Sequence, residues 1–154
     1  KAYAMTGWRI GYAGGPKAII AAMKKIQSQS TSNPSSISQA ASLAALTGDQ
    51  SCVREMNKAF KQRHDYVVGA LNGIAGFRCL PSAGTFYAFP NVAEALQAKG
   101  LKDDLALSEL LLNEVEVAVV PGSAFGAPGY LRLSFACSLE TLKEAIRRIT
   151  RVIG

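Results

Sequence analysis

The stretch from Ser51 to Leu71 constrains this chain more than any other. Val53, Met56, Phe60, Val67 and Leu71 recur at helical spacing while Arg54, Lys58, Lys61 and Asp65 fall off that stripe, so the stretch reads as one long amphipathic helix. A helix of that length can join two bodies, and the patterning changes on either side of it. With 154 residues and 49% apolar composition the chain can bury a core, and length alone suggests one domain. The change of pattern across the helix divides it differently.

Upstream, Trp8 to Gly14 is a short stretch with two glycines and reads as a buried strand whose backbone lets a neighbour come close. Pro16 stands where a first helical residue would, and Ile19, Met23 and Ile26 follow at helical spacing. Ser28 to Ser36 is polar and contains Asn33-Pro34, a pair that disfavours helix at Asn33, so it reads as an ordered loop or linker. Ser36 is placed as the cap of a second helix, its alanines at 40, 41, 44 and 45 allow close packing, and Gly48 ends it.

Downstream, Phe77 to Leu80 and Thr85 to Phe89 are strand-like and separated by Pro81-Ser82-Ala83-Gly84, which predicts a hairpin or a paired edge. Asp103 or Asp104 caps a helix that runs through Glu114 with Leu107, Leu110 and Leu111 inward. Val115 to Val120 is an apolar run bounded by Pro121-Gly122 and reads as a buried strand. The loop from Pro121 to Gly129, with three glycines and two prolines, has a shaped backbone. In the strand Tyr130 to Phe135, alternation sets Leu131, Leu133 and Phe135 on one face and Arg132 and Ser134 on the other. Ser138 caps a last helix with Leu139, Leu142, Ile146 and Ile149 inward. His64, the single histidine, lies among charges and is expected to be solvated.

The chemistry-bearing residues open the chain, in the string KAYAMTGWRIG from Lys1 to Gly11. A primary amine condenses with an aldehyde and, once displaced, can move a proton. Eight residues on, Arg9 offers a guanidinium that forks two donors onto a phosphate, which an ammonium cannot match in geometry. Taken singly, a solvated N-terminal lysine and an arginine on an exposed edge explain the same two residues. The whole string carries more. Lys1, Ala4, Met5, Gly7, Arg9, Ile10 and Gly11 fill every constrained place of the active-site signature of the class I aminotransferases, fold-type I enzymes that use pyridoxal phosphate (PLP), and the stretch resembles it. The resemblance implies that Lys1 is catalytic and joins PLP as a Schiff base, and that Arg9 holds the PLP phosphate.

Arg132 is the second anchor. An arginine within an otherwise apolar strand is costly unless an anion meets it or its face is solvated, and the residues alone leave both open. The strings AGTFYAF, VVPGSAFG and YLRLSFA extend the resemblance over the rest of the chain, and YLRLSFA is similar to the aminotransferase strand whose arginine clamps the substrate α-carboxylate. Tyr87 reads as a core aromatic beside the alternative of a catalytic phenol. The resemblance implies an α/β fold that is the C-terminal part of a PLP-dependent transferase. Residues 1–50 would be a remnant of the large cofactor-binding domain, 51–72 the linking helix, and 73–154 a small α+β sandwich domain. It further implies amino transfer between an α-amino acid, aspartate by preference, and a 2-oxo acid, in a cytoplasmic homodimer.

No unprocessed polypeptide begins with lysine, so the chain is expected to be the downstream piece of something longer. By itself it is expected to bind PLP weakly or not at all and not to turn over. Its apolar residues Trp8, Ile10 and Met23 would then lie exposed. Related PLP lyases keep the same lysine and arginines, and a transcription regulator with an effector domain of this fold is the reading from another class. The net charge of +6 is scattered over helical stretches without interleaved aromatics, which argues against nucleic acid as a partner. No apolar run is long enough to span a bilayer. Cys52, Cys79 and Cys137 are odd in number and far apart, which argues against a disulfide framework or a metal site and for a reducing compartment.

Overall fold

The computed structural model describes all 154 residues, in two compact units, Lys1–Met56 and Asn57–Gly154. In the first unit a 3-10 turn at Thr6–Trp8 precedes helices α1 (Lys17–Ser30) and α2 (Ser36–Thr47). Helix α3 (Ser51–Asn72) begins there and continues into the second unit. The second unit adds β1 (Tyr87–Ala88), α4 (Ala93–Ala98), α5 (Asp104–Val115), β2 (Val120–Pro121), a 3-10 turn at Gly122–Phe125, β3 (Leu131–Ser134) and α6 (Leu139–Ile153).

In the first unit, the stretch expected as a buried strand, Trp8 to Gly14, pairs with nothing and is largely exposed, Trp8 to 45% and Tyr12 to 83%. A strand exists only through the ladder of a neighbour, and this unit contains no strand for it to join. Helix α1 likewise buries none of its residues, and Ile19, Met23 and Ile26 face water. Trp8 and Met23 are exposed as the resemblance led us to expect, whereas Ile10 is half-buried. The polar loop is shorter than its composition suggested, because α1 runs on through Ser30. Ser35 rather than Ser36 takes the N-cap position of α2, without a side-chain cap bond, and Gly48 closes that helix with its N–H on the Ala44 carbonyl.

The second unit is built on a three-stranded antiparallel sheet in the order β1-β3-β2. Tyr87 stands opposite Ser134, and Val120 opposite Arg132. Of the two expected arrangements, a tight hairpin does not form and paired edges do: Arg78 bridges Asn91, and β1 pairs with the distant β3. Of the run Val115 to Val120, only its last residue joins the sheet; Val115 ends α5 and Glu116 turns in the left-handed region at φ 56°. Helix α5 packs on β2 and on α6. Leu71, Leu107, Leu111, Leu131, Phe135 and Ile149 are at most 1% exposed and form the centre of the core. The caps fall where the sequence put them. Asp103 accepts the Ala106 N–H at 2.9 Å, and Ser138 accepts the Thr141 N–H at 3.1 Å, each satisfying an orphan donor of a first turn.

His64 departs from expectation. Its side chain is only 14% exposed, Nε2 accepts the Ser82 N–H at 3.1 Å, and the ring meets Phe135 edge-on. It ties the long helix to the loop before β1, so its role is packing.

On α6, Glu144 accepts from Nε and Nη2 of Arg147 at 2.8 and 2.7 Å and from Nε of Arg148 at 2.8 Å. These two guanidinium groups hold its carboxyl at about 2, below the ordinary 4.5. A lowered folded-state pKa stabilises the fold above the ordinary value and loses that contribution as pH falls through the folded one. Titration of the urea midpoint should therefore drop between pH 4.5 and about 2. Glu144→Gln should flatten that part of the curve, and added salt should shrink it, because the cluster faces solvent.

Candidate active site

The first unit holds Lys1 and Arg9 on one short, tightly turned segment. The Ala4 N–H donates to the Lys1 carbonyl at 3.0 Å, and the Trp8 N–H donates to the Met5 carbonyl at 3.2 Å. Two side-chain bonds fix this segment, one to helix α2 and one to the link that follows it. The buried Ser38 hydroxyl donates to the Trp8 carbonyl at 2.8 Å, and the Tyr3 hydroxyl donates to Oε1 of Gln50 at 2.8 Å. Gln50 is in turn held by the Ala45 and Gly48 carbonyls, at 2.9 and 2.8 Å.

Ala4 and Arg9 both adopt left-handed backbone, at φ 52° and 47°. For a residue with a Cβ that region costs on the order of 1 kcal/mol or more, and such strain collects at functional sites. Arg9 also donates from Nη1 to the Thr6 carbonyl at 3.3 Å, which leaves most of its five N–H donors for another acceptor. Lys1 and Arg9 are both exposed. Nothing in the residue types announces the left-handed turn, so sequence reasoning missed it.

The second unit holds Arg132 in the central strand. It is half-buried, and its guanidinium carbon lies 4.5 Å from the centroid of the Tyr87 ring and 4.5 Å from that of Phe125. Register explains the first contact. Tyr87 pairs with Ser134, two residues from Arg132 on the same face, so Tyr87 is its diagonal cross-strand neighbour. Tyr87 is thus half-buried beside the arginine rather than in the core centre. The second contact comes from the loop after β2. No hydrogen bond or ion pair engages the guanidinium, which meets the two rings by cation–π contact and keeps its N–H donors for a ligand.

That loop is braced by Asp104, an aspartate at the first turn of α5 that is 1% exposed. Its carboxylate accepts the Ser123 N–H at 2.8 Å and the Gly129 N–H at 3.3 Å, one near each end of the loop. Burial alone would raise its pKa, yet the bonds from Ser123 and Gly129 outweigh this and hold it below the ordinary value. Gly122 must be glycine here, since a Cβ would lie 2.3 Å from the Ala127 carbonyl oxygen and 2.7 Å from the Tyr130 Cβ. The sequence offers Asp104 as a possible helix cap; Asp103 takes that place and frees it to hold the loop.

A groove of about 570 Å³ lies elsewhere in this unit, lined by Val117, Leu133, Cys137, Leu142 and Ile146 among others, and Arg132 is not part of it. Burial raises the pKa of the Cys79 thiol, and all three cysteines are free. No helix is long and apolar enough to cross a membrane.

Comparison with known proteins covers the same two regions. The profile described as aminotransferase class I and II matches residues 1–149. The aspartate/prephenate aminotransferase of Nitrosomonas europaea is 55% identical over 160 residues, covering 100% of this chain and 40% of that protein. An aspartate aminotransferase of Rhizobium meliloti strain 1021 is 52% identical, covering 97% of this chain and 38% of its own length. Among solved structures, the aspartate aminotransferase from Rhizobium meliloti superimposes with TM-score 0.92 at 50% identity, over 99% of this chain and 40% of that one. The aromatic aminotransferase from Pyrococcus horikoshii OT3 does so with TM-score 0.90 at 40% identity, over 99% and 40%. The chain therefore spans about 40% of the length of the curated relatives it matches. Its fold is a partial α/β transferase fold, mixed helix with a small sheet. A profile match over nearly the whole chain places it in the class I and II aminotransferase family.

Proposed function

We propose that the protein containing this chain transfers an amino group between an α-amino acid, aspartate by preference, and a 2-oxo acid, with PLP as cofactor, as a cytoplasmic homodimer. The observation that carries this reading is Arg132, a guanidinium in contact with two aromatic rings, with no hydrogen bond or ion pair on its N–H donors. A planar carboxylate is the ligand that a guanidinium fork fits in two parallel bonds. The names of the relatives, aspartate or aspartate/prephenate aminotransferase, support the substrate class.

In this reading residues 1–50 are the end of the cofactor domain, and 51–72 link it to the small domain formed by residues 73–154. The donor set of the first unit fits PLP: an amine at Lys1, and at Arg9 a guanidinium with unengaged N–H donors on a braced turn. Arg9 would hold the phosphate and Lys1 would join the aldehyde. When bound, PLP supplies the carbonyl that condenses with amines and the sink for the electrons of the broken Cα–H bond. The chain's own residues orient and transfer. Arg132 fixes the substrate through its α-carboxylate, Arg9 fixes the phosphate, and the Lys1 amine, once displaced, carries the α-proton.

The test is an assay of the protein that contains this chain, with aspartate and 2-oxoglutarate. Oxaloacetate and glutamate should form, and borohydride reduction before digestion should leave the pyridoxyl group on the peptide of Lys1. A label on another lysine, or decarboxylation or elimination in place of transfer, would overturn the assignment.

A further inference from the structure

We propose that Asp104 is a positioning residue for Arg132, acting through the backbone of the loop that carries Phe125. Strand β1 and the loop after β2 meet at this arginine; the loop is closed at its ends by backbone bonds, from the Gly122 N–H to the Tyr130 carbonyl at 2.7 Å and from the Val92 N–H to the Gly129 carbonyl at 2.8 Å, and Asp104 spans the stretch between. Tyr87 is placed by its pairing with Ser134. Phe125 ends a 3-10 turn that Gly126 closes at a left-handed φ of 74°, and Gly129 near the end of the loop is also left-handed at 78°. Its two prolines and internal backbone bonds shape this segment, and its glycines leave freedom that contacts from outside it must remove.

Beside those backbone bonds, the side-chain restraint is the Asp104 carboxylate, which takes the Ser123 and Gly129 N–H groups from inside the core of the second unit. Both bonds have an ionised acceptor that is almost fully removed from water, the setting in which such bonds are strongest. Asp104 is itself fixed, because it sits in the first turn of α5, next to the Asp103 cap. A rigid helix end thus helps set the loop, and the loop sets Phe125, whose ring centroid lies 4.5 Å from the guanidinium carbon. Without the ring, Arg132 keeps its charge and its strand position but gains rotamers, and a fork that must be ordered on each encounter binds more weakly. The link from Asp104 to Arg132 stands on geometry alone; its effect on ligand binding rests on the carboxylate reading proposed above.

The experiment follows the Arg132 side-chain resonances in the isotopically labelled full chain. In the parent sequence the two rings should displace the Arg132 Hδ and Hε signals upfield. Asp104→Ala should lose the Phe125 part of that displacement, as Phe125→Leu does directly, and the double variant should go no further than either. Asp104→Asn, which retains one acceptor oxygen and is the safer variant to fold, should give the same change at smaller amplitude. Titration with succinate should weaken about fivefold in Asp104→Ala and in Phe125→Leu, the scale of one lost guanidinium stack. A folded Asp104→Ala or Asp104→Asn chain with unaltered Arg132 resonances overturns the proposal, as does additivity in the double variant. Ring shifts that respond as described in a chain that takes no succinate support the positioning role and count instead against the carboxylate reading.

Discussion

Lys1→Ala, made in the protein that contains this chain, should abolish amino transfer while leaving substrate recognition in place. The variant lacks the only group assigned to carry the α-proton, and the general acid–base part of a proton transfer alone is worth about 10²–10⁴ in rate. Loss of the covalent attachment adds to this, so turnover of aspartate should fall at least about ten-thousandfold. Borohydride should then trap no pyridoxyl lysine at the start of the chain. Aspartate should still bind, since Arg132 is untouched. A variant that keeps turnover within about tenfold of the parent would remove Lys1 from the chemistry altogether.

Arg132 gives the second large effect, and two substitutions divide its causes. Arg132→Lys keeps the charge and loses the fork and the flat face that Tyr87 and Phe125 hold. Arg132→Leu loses the charge as well. A charge-assisted bidentate contact is worth about 3 kcal/mol, so kcat/KM should fall roughly a hundredfold for lysine and further for leucine. Because the contact is assigned to the α-carboxylate, alanine and aspartate should suffer alike when each is used as amino donor. If aspartate alone weakens, the arginine reads the side-chain carboxylate instead and the clamp lies elsewhere.

The structure also shows which parts of a chain like this can be read without a fold in hand. Helices α3, α5 and α6 were legible because their signals are local. An apolar stripe of period 3.6, with Asp103 and Ser138 at the caps, needs no knowledge of what packs against it. Strands carry no such guarantee. Trp8 to Gly14 has strand-like composition and no ladder to join, and Val115 to Val120 divides between a helix end, a left-handed turn and a single strand residue.

The candidate site was legible in the same unequal way. Lys1, Arg9 and Arg132 stood out as residue types in a motif. Their surroundings did not, because the Tyr87 contact depends on sheet register and the Phe125 contact on a loop fastened from a buried aspartate. His64 misled for a related reason: charged sequence neighbours on a helix say little about a ring that turns inward onto Phe135.

The apolar side chains that α1 and α2 leave in water have one further consequence. Ile19, Met23, Ile26, Leu43 and Leu46 are all at least 47% exposed, on a molecule whose formal charge is +6. Like-charge repulsion opposes contact between such faces, and it reaches only about 10 Å at 0.1 M ionic strength. Raising the electrolyte concentration shortens that reach without weakening the attraction between oily faces. Added salt should therefore favour association of this chain through its first unit, which light scattering across an ionic-strength series would check.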